Sequence, residues 1–248
     1  SNDDARVKFM PLDLSSLSSV RAFANTYKKL ELPLHSLVLN AGVMKSPGAQ
    51  FVGKNLTYGF DTTMDGFEMH IGVNHIGHFY LTSLLTEKLV ASAPSRVVSV
   101  SSSAEEGAYK PEGIRFDTWK PSNGDIFSDY EDGLAYGQSK LANILFAKEL
   151  ASRLNGTGVT AYSCHPGVIK TGITRHLYDV MDLELESKGW FEKLLATVLG
   201  NWFELAFLES NDGALTQLEL ATADESSLVN GAFYHPIGRV IGDATHPQ

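Results

Sequence analysis

The sequence predicts a three-layer α/β fold, a doubly wound parallel sheet with helices on both faces. Three observations point there. Short apolar runs alternate with segments of helical periodicity along the whole chain. The runs are continuous rather than alternating, which suits strands covered on both faces. Three of them end in clusters of polar residues or glycine, Asn40-Ala41-Gly42, Ser101-Ser102-Ser103 and His165-Pro166-Gly167. In an open parallel sheet, ligands bind beyond the carboxyl ends of the strands, and right-handed crossovers bring such ends to one edge.

The elements follow in order. Val7–Leu12 reads as a strand, and Leu14-Ser15-Ser16 opens a helix whose Val20, Phe23 and Tyr27 recur at helical spacing. Leu37-Val38-Leu39, led in by His35-Ser36, is a strand leading to Asn40-Ala41-Gly42. Phe67–Val90 is a long helix, and Arg96–Val100 is a strand running into the three serines. Glu105–Gly133 is rich in Gly, Pro, Asp and Asn and reads as an excursion. Ser139–Leu154 is a helix with Leu141, Ile144, Leu145 and Leu154 on or near one face. Val159–Cys164 is a strand, Asp212–Ala223 a helix, and Gly231–Tyr234 a last short strand. No repeat or low-complexity linker divides the 248 residues, so residues 1–248 are expected to form one domain.

Tyr136 and Lys140 stand four residues apart where this helix begins, a spacing that puts both on one face. A protonated Lys favours tyrosinate and lowers the phenol's pKa from about 10 toward working pH. A phenol so tuned can give a proton to a carbonyl oxygen or take one from an alcohol. Of the nine tyrosines, Tyr136 alone has a Lys four residues on. One such pair is near coincidence; the order of its companions carries the weight.

Tyr136-Gly137-Gln138-Ser139-Lys140 resembles the YxxSK motif of the short-chain dehydrogenase/reductase family. Arg96–Ser102 is similar to that family's strand ending in the catalytic serine, which falls on Ser102, with Ser101 and Ser103 as alternatives. Asn40-Ala41-Gly42 resembles the NNAG turn, with Leu39 in place of its first Asn. Asn74, in Val73-Asn74-His75-Ile76-Gly77, matches the helix asparagine of the catalytic tetrad. Pro166-Gly167-Val168-Ile169-Lys170-Thr171 matches the loop beside the nicotinamide, and Asp13-Leu14 the contact to adenine. Leu134–Phe146 and His165-Pro166-Gly167 are closest to the retinol-dehydrogenase-like branch.

The resemblance implies a Rossmann-like fold and hydride transfer between a nicotinamide cofactor and a carbonyl or alcohol substrate, hydrophobic by the branch. Tyr136 is then the general acid/base, and Ser102 holds the substrate oxygen. Lys140 binds the nicotinamide ribose and tunes Tyr136, and Asn74 holds a water linking Lys140 to solvent. Asp13, Leu14, Asn40, Ala41, Gly42, Tyr136, Lys140, Pro166, Gly167, Ile169 and Thr171 line the cofactor. The residues that choose between NADP and NAD would precede Val7, so the slight preference for NADP is inherited from the branch. The family's first βαβ unit, with its TGxxxGxG turn, is also missing from the sequence. Such a unit takes about 30 residues. Without it the sheet is expected to carry an unpaired edge, and the chain alone to be poorly stable or inactive.

Other features set bounds. A net charge of −9 argues against a nucleic-acid partner. The single cysteine, Cys164, excludes an internal disulfide and permits a reducing compartment, the cytoplasm or a membrane face toward it; its strand position marks it as a core residue. His70, His75 and His78 lack the i, i+4 spacing of a zinc helix, so no metal is expected and helix packing or surface is their reading. Gly189–Leu208, with Trp190, Phe191, Trp202, Phe203 and Phe207, is a substrate lid, a core segment or a subunit interface. A homo-oligomer and membrane contact both stay open. The rival readings are a non-catalytic binding or scaffold relic of the fold and a sugar-nucleotide epimerase; the Asn-Ala-Gly turn and the Pro-Gly loop speak against the second.

Overall fold

The computed structural model describes residues 7–44, 50–52, 55–57, 60–120, 130–169, 208–236 and 238–240. Its main sheet runs β1 (Ser36–Leu39), β4 (Ser95–Val100), β5 (Val159–Cys164), β6 (Phe233–His235) and β7 (Arg239–Val240), in that spatial order. The first four strands are parallel, and β7 turns back antiparallel on β6. A separate antiparallel pair, β2 (Gln50–Val52) with β3 (Asn55–Thr57), was not foreseen in the sequence.

Helices cover both faces. On one side lie α1 (Leu17–Lys29), α3 (His78–Ala91) and α4 (Asp132–Arg153), and on the other α6 (Leu215–Thr222), preceded by the short α5 (Ser210–Gly213). Strand side chains alternate between faces, and the core divides accordingly. Val97, Val159 and Ala161 pack with Val20, Ala24, Leu81, Leu85 and Leu89. Val98, Val100, Tyr162 and Cys164 pack with Leu220 and Tyr234 on the opposite face. The Ser16 hydroxyl caps α1 by accepting from the Ser19 N–H, and Lys28 and Lys29 oppose the dipole at its far end.

The helix expected over Phe67–Val90 is built in three pieces. α2 (Met69–Ile71) passes into a π turn, Gly72–Gly77, and then into α3. Single π turns gather at functional sites, and this one carries Asn74. Its glycines are required by close approach: a Cβ on Gly77 would lie 2.7 Å from the Leu14 carbonyl oxygen.

Val7–Leu12 is not a strand. Among the described residues nothing runs beside it, and a strand without a ladder leaves its backbone to water. Val7 and Phe9 are accordingly 88% and 87% exposed. The same lack of a neighbour is felt by β1, the outer strand, whose Val38 is 41% exposed where burial on both faces was expected.

Leu85 is fully enclosed between α1 and the sheet. Leu85→Ala is expected to cost about 2–5 kcal/mol. In urea the midpoint of the intact protein falls while the slope holds; an unmoved midpoint would show that this face is not a packed core.

Candidate active site

The sheet register brings Leu39, Ser99 and Val100 beside one another, with Cys164 across from Val100. The clusters Asn40–Gly42, Ser101–Ser103 and His165–Gly167 therefore leave one edge together. The Ser101 N–H donates to the Cys164 carbonyl at 2.7 Å, and the His165 N–H to the Tyr234 carbonyl at 2.8 Å.

α4 crosses this edge. It begins at Asp132, seven residues before the start read from the sequence, which Gly133 and Gly137 had obscured. Gly137 is there for space: a Cβ would lie 2.7 Å from the Ala104 carbonyl and 3.0 Å from the Ala108 nitrogen. That approach lays Tyr136 against the turn after β4. The three serines are thereby distinguished. The Ser101 hydroxyl is buried and donates to the Lys140 carbonyl at 2.6 Å, anchoring α4 to β4. The Ser102 hydroxyl accepts from the Ala104 N–H at 3.2 Å and lies close enough to the Tyr136 phenol to favour its ionised form. Ser103 begins a 3₁₀ turn over Ser103–Gly107.

Lys140 is 4% exposed. Its Nζ donates to the Val100 carbonyl at 3.3 Å, an oxygen that also accepts from Asn143 Nδ2 at 3.2 Å. The Nζ stands 5.6 Å from the centre of the Tyr136 ring. Burial pushes its pKa down to about 8. The expected depression of Tyr136 is not what this geometry produces. Burial raises the phenol's pKa, and the lowering contribution comes from the Ser102 hydroxyl. A phenol so placed keeps its proton at neutral pH.

Asn74 is fully buried and ties three elements together. Its Oδ1 accepts from the Val43 N–H at 2.7 Å, and its Nδ2 donates to the Val43 carbonyl at 2.8 Å and to the Ser139 hydroxyl at 3.0 Å. The Ser139 hydroxyl in turn donates to the Tyr136 carbonyl at 2.7 Å. The Asn74 carbonyl oxygen lies 3.1 Å from His78 Nδ1. Gly42 completes the contact: a Cβ there would sit 3.0 Å from Asn74 Oδ1 and 3.4 Å from Lys140 Nζ. Asn40 and Ala41 precede it on the exposed side of the same turn.

The remaining candidates lie further out. Asp13 Oδ1 accepts from the Ser15 N–H and hydroxyl at 2.9 and 2.7 Å, a turn that starts α1, and Leu14 packs on Gly77. Pro166 is half-buried, and Gly167 has φ +96°, a conformation that glycine adopts without strain. Ile169 bridges to Leu208 and packs on Gly213. Thr171 and the apolar stretch up to Phe207 lie outside the described residues. Cys164 is a core residue, its thiol pushed up to about 12 by burial.

Sequence reasoning missed one group. His70, read as a packing or surface residue and not as a metal ligand, is wholly buried with its ring edge-on to Tyr136, centroids 6.0 Å apart. Its Nδ1 lies 2.7 Å from Glu68 Oε1 and its Nε2 3.6 Å from Asp132 Oδ1. Glu68 also accepts from the Tyr130 hydroxyl at 3.0 Å. Glu68 and Asp132 are 64 positions apart, so no local pattern pairs them; a Glu two residues before a His was the available signal. His75 reaches Asn143 Oδ1 at 3.2 Å instead.

The cost of burying Lys140 can be measured. A base whose pKa falls on folding binds fewer protons when folded, so stability rises with pH between about 8 and the ordinary Lys value near 10.5. Without added nucleotide, Lys140→Met is therefore expected to be the more stable protein at pH 7, by about 3 kcal/mol. The gap closes as pH climbs through that window. A variant less stable than the parent at every pH would contradict this.

The short chain dehydrogenase family model matches residues 1–112. The chain is 40% identical over 237 residues to retinol dehydrogenase 12 of Mus musculus, covering 96% of this chain and 63% of that protein. It is 51% identical over 165 residues to retinol dehydrogenase 11 of Homo sapiens, covering 66% of this chain and 45% of that protein. The chain thus spans less than two thirds of the length of these curated relatives. Among solved structures, an uncharacterized protein from Mycobacterium paratuberculosis is 31% identical with a TM-score of 0.60, over 95% of this chain and 67% of that one. A 3-oxoacyl-[acyl-carrier protein] reductase from Brucella melitensis, solved with NAD, shares the fold at 18% identity and a TM-score of 0.61, over 94% of this chain and 77% of that one. With its five-stranded sheet, its flanking helices and these relatives, the chain belongs to the short-chain dehydrogenase/reductase family, on the side of the retinol dehydrogenases.

Proposed function

We propose that this chain carries the proton-delivering residues of an oxidoreductase that interconverts a hydrophobic carbonyl and its alcohol with NADP or NAD, within a single domain over residues 1–248. The observation that supports it most is the joint placement of Ser102, Tyr136 and Lys140 at the carboxyl edge of the sheet. The residues fit a nucleoside with a nicotinamide ring: a buried ammonium stands between the Tyr136 ring and a turn where Gly42 has no side chain. A bound nicotinamide would supply or accept the hydride.

The chain's own residues supply the rest. Tyr136 Oη carries the proton that goes to the substrate oxygen, and the Ser102 hydroxyl donates to that same oxygen. The raised phenol pKa keeps the donor protonated at neutral pH, the state from which carbonyl reduction starts. Lys140 Nζ binds ribose hydroxyls and thereby gains the partners its burial calls for. Asn40, Ala41, Pro166, Gly167, Ile169 and Thr171 flank the nicotinamide, and Asp13 and Leu14 stand toward the adenine. The relatives named retinol dehydrogenase support a substrate that is long and apolar. No helix among the described residues is long and apolar enough to cross a membrane.

In the intact protein, Tyr136→Phe is expected to lower carbonyl-dependent NADPH oxidation by about 10²–10⁴-fold. Nucleotide affinity, read by fluorescence, stays within a few-fold. Near-parental turnover in this variant would remove Tyr136 from the role of proton donor.

A further inference from the structure

Beside the proton-delivering group lies a charged cluster taken wholly out of water. Glu68 accepts from the N–H groups of His70 and Ile71 at 3.0 and 2.9 Å, from His70 Nδ1 at 2.7 Å and from the Tyr130 hydroxyl at 3.0 Å. A carboxyl receiving that many donors is ionised. His70 Nδ1 must then carry a proton to donate to it. The other ring nitrogen, Nε2, has no hydrogen-bond partner among the described residues and lies 3.6 Å from Asp132 Oδ1. In a neutral ring, a lone pair would face that carboxylate; in a charged ring, an N–H faces it. The geometry selects the charged ring.

Position gives the cluster its use. Glu68 caps the helix that leads into the Asn74 turn, and Asp132 is the first residue of α4, one turn before Tyr136. We propose that Glu68, His70 and Asp132 form a buried clamp that docks the first turn of α4 on the Asn74 helix and so positions the Tyr136 ring. His70 is a positioning residue here, touching the ring of Tyr136 edge-on. The inference rests on the reading of Tyr136 as proton donor.

The groups facing His70 are Glu68 on its own element, Asp132 and Tyr136 on α4, Tyr130 before it, and the Met44 backbone. Burial works against the charge on both Glu68 and His70, and their mutual hydrogen bond and attraction overcome it. Glu68 is held below the usual carboxylate range and His70 above the usual imidazole range. A raised His70 stabilises the fold fully below its unfolded pKa and loses that contribution as pH rises through the folded value. A lowered Glu68 stabilises above its unfolded pKa and loses that contribution as pH falls through the folded value. The clamp therefore holds between the two folded values and opens on the alkaline side when His70 gives up its proton.

The test uses the intact protein and Asp132→Asn, which keeps the shape of the side chain and removes its charge. NMR of labelled histidine is expected to show His70 as imidazolium at pH 7, titrating at lower pH in the variant. Exchange of the amides at 135–139 quickens in the variant. With a long-chain aldehyde and NADPH, kcat falls about tenfold while KM stays within about twofold, and the alkaline limb of the kcat profile moves to lower pH. A neutral His70 at pH 7, or exchange and pH profiles that superimpose on the parent's, would overturn the clamp. Should the parent turn over no carbonyl, the proton-donor reading fails by itself, and the NMR and exchange results still decide the clamp.

Discussion

An ammonium taken out of water at the end of a β-strand is the constraint around which this molecule is arranged. Removing Lys140 from solvent costs several kcal/mol unless partners replace the water, and a single described carbonyl, that of Val100, accepts from it. The neighbouring elements follow from that placement. Ser101 holds the Lys140 backbone to β4, and Asn143 shares the Val100 oxygen. Gly42, beside Nζ, leaves room for the Asn74 amide by having no side chain, and Asn74 ties the Gly42 turn to the Tyr136 helix through Val43 and Ser139. A buried cation short of partners is a poor stabiliser and a good receiver of hydroxyl groups.

The two titrating groups divide the work in opposite directions. Burial raises the Tyr136 phenol, which keeps its proton, and lowers Lys140, which holds its charge less firmly. Proximity of a Lys alone does not make a tyrosine acidic; burial of both groups can outweigh the attraction between them. A nucleotide that gave Lys140 hydroxyl partners would strengthen its charge and draw the phenol down. The phenol therefore holds its proton until such partners arrive and gives it up more readily once they have.

Much of this was legible in the residues because it is local. Strand alternation, the cluster after each strand and the four-residue step from Tyr136 to Lys140 are all short-range patterns, and the sheet and both core layers follow from them. What was not legible depends on pairs far apart in sequence. Ser102 matched the family's serine by resemblance, but the inward turn of the Ser101 hydroxyl to the Lys140 carbonyl was not readable in the sequence. The long helix is interrupted by a π turn whose Gly77 meets Leu14, and Glu68 and Asp132, 64 positions apart, meet through His70. Val7–Leu12 reads as a strand by composition and fails as one for want of a neighbour, which no property of its own residues could reveal.

The most direct measurement is a crystal structure of the intact protein with NADP and a long-chain alcohol. The expected result has Lys140 Nζ within hydrogen-bonding distance of ribose hydroxyls beside Gly42, with the alcohol oxygen between Tyr136 Oη and the Ser102 hydroxyl. A nucleotide bound away from Lys140, or an alcohol oxygen that meets neither Tyr136 nor Ser102, would contradict the account.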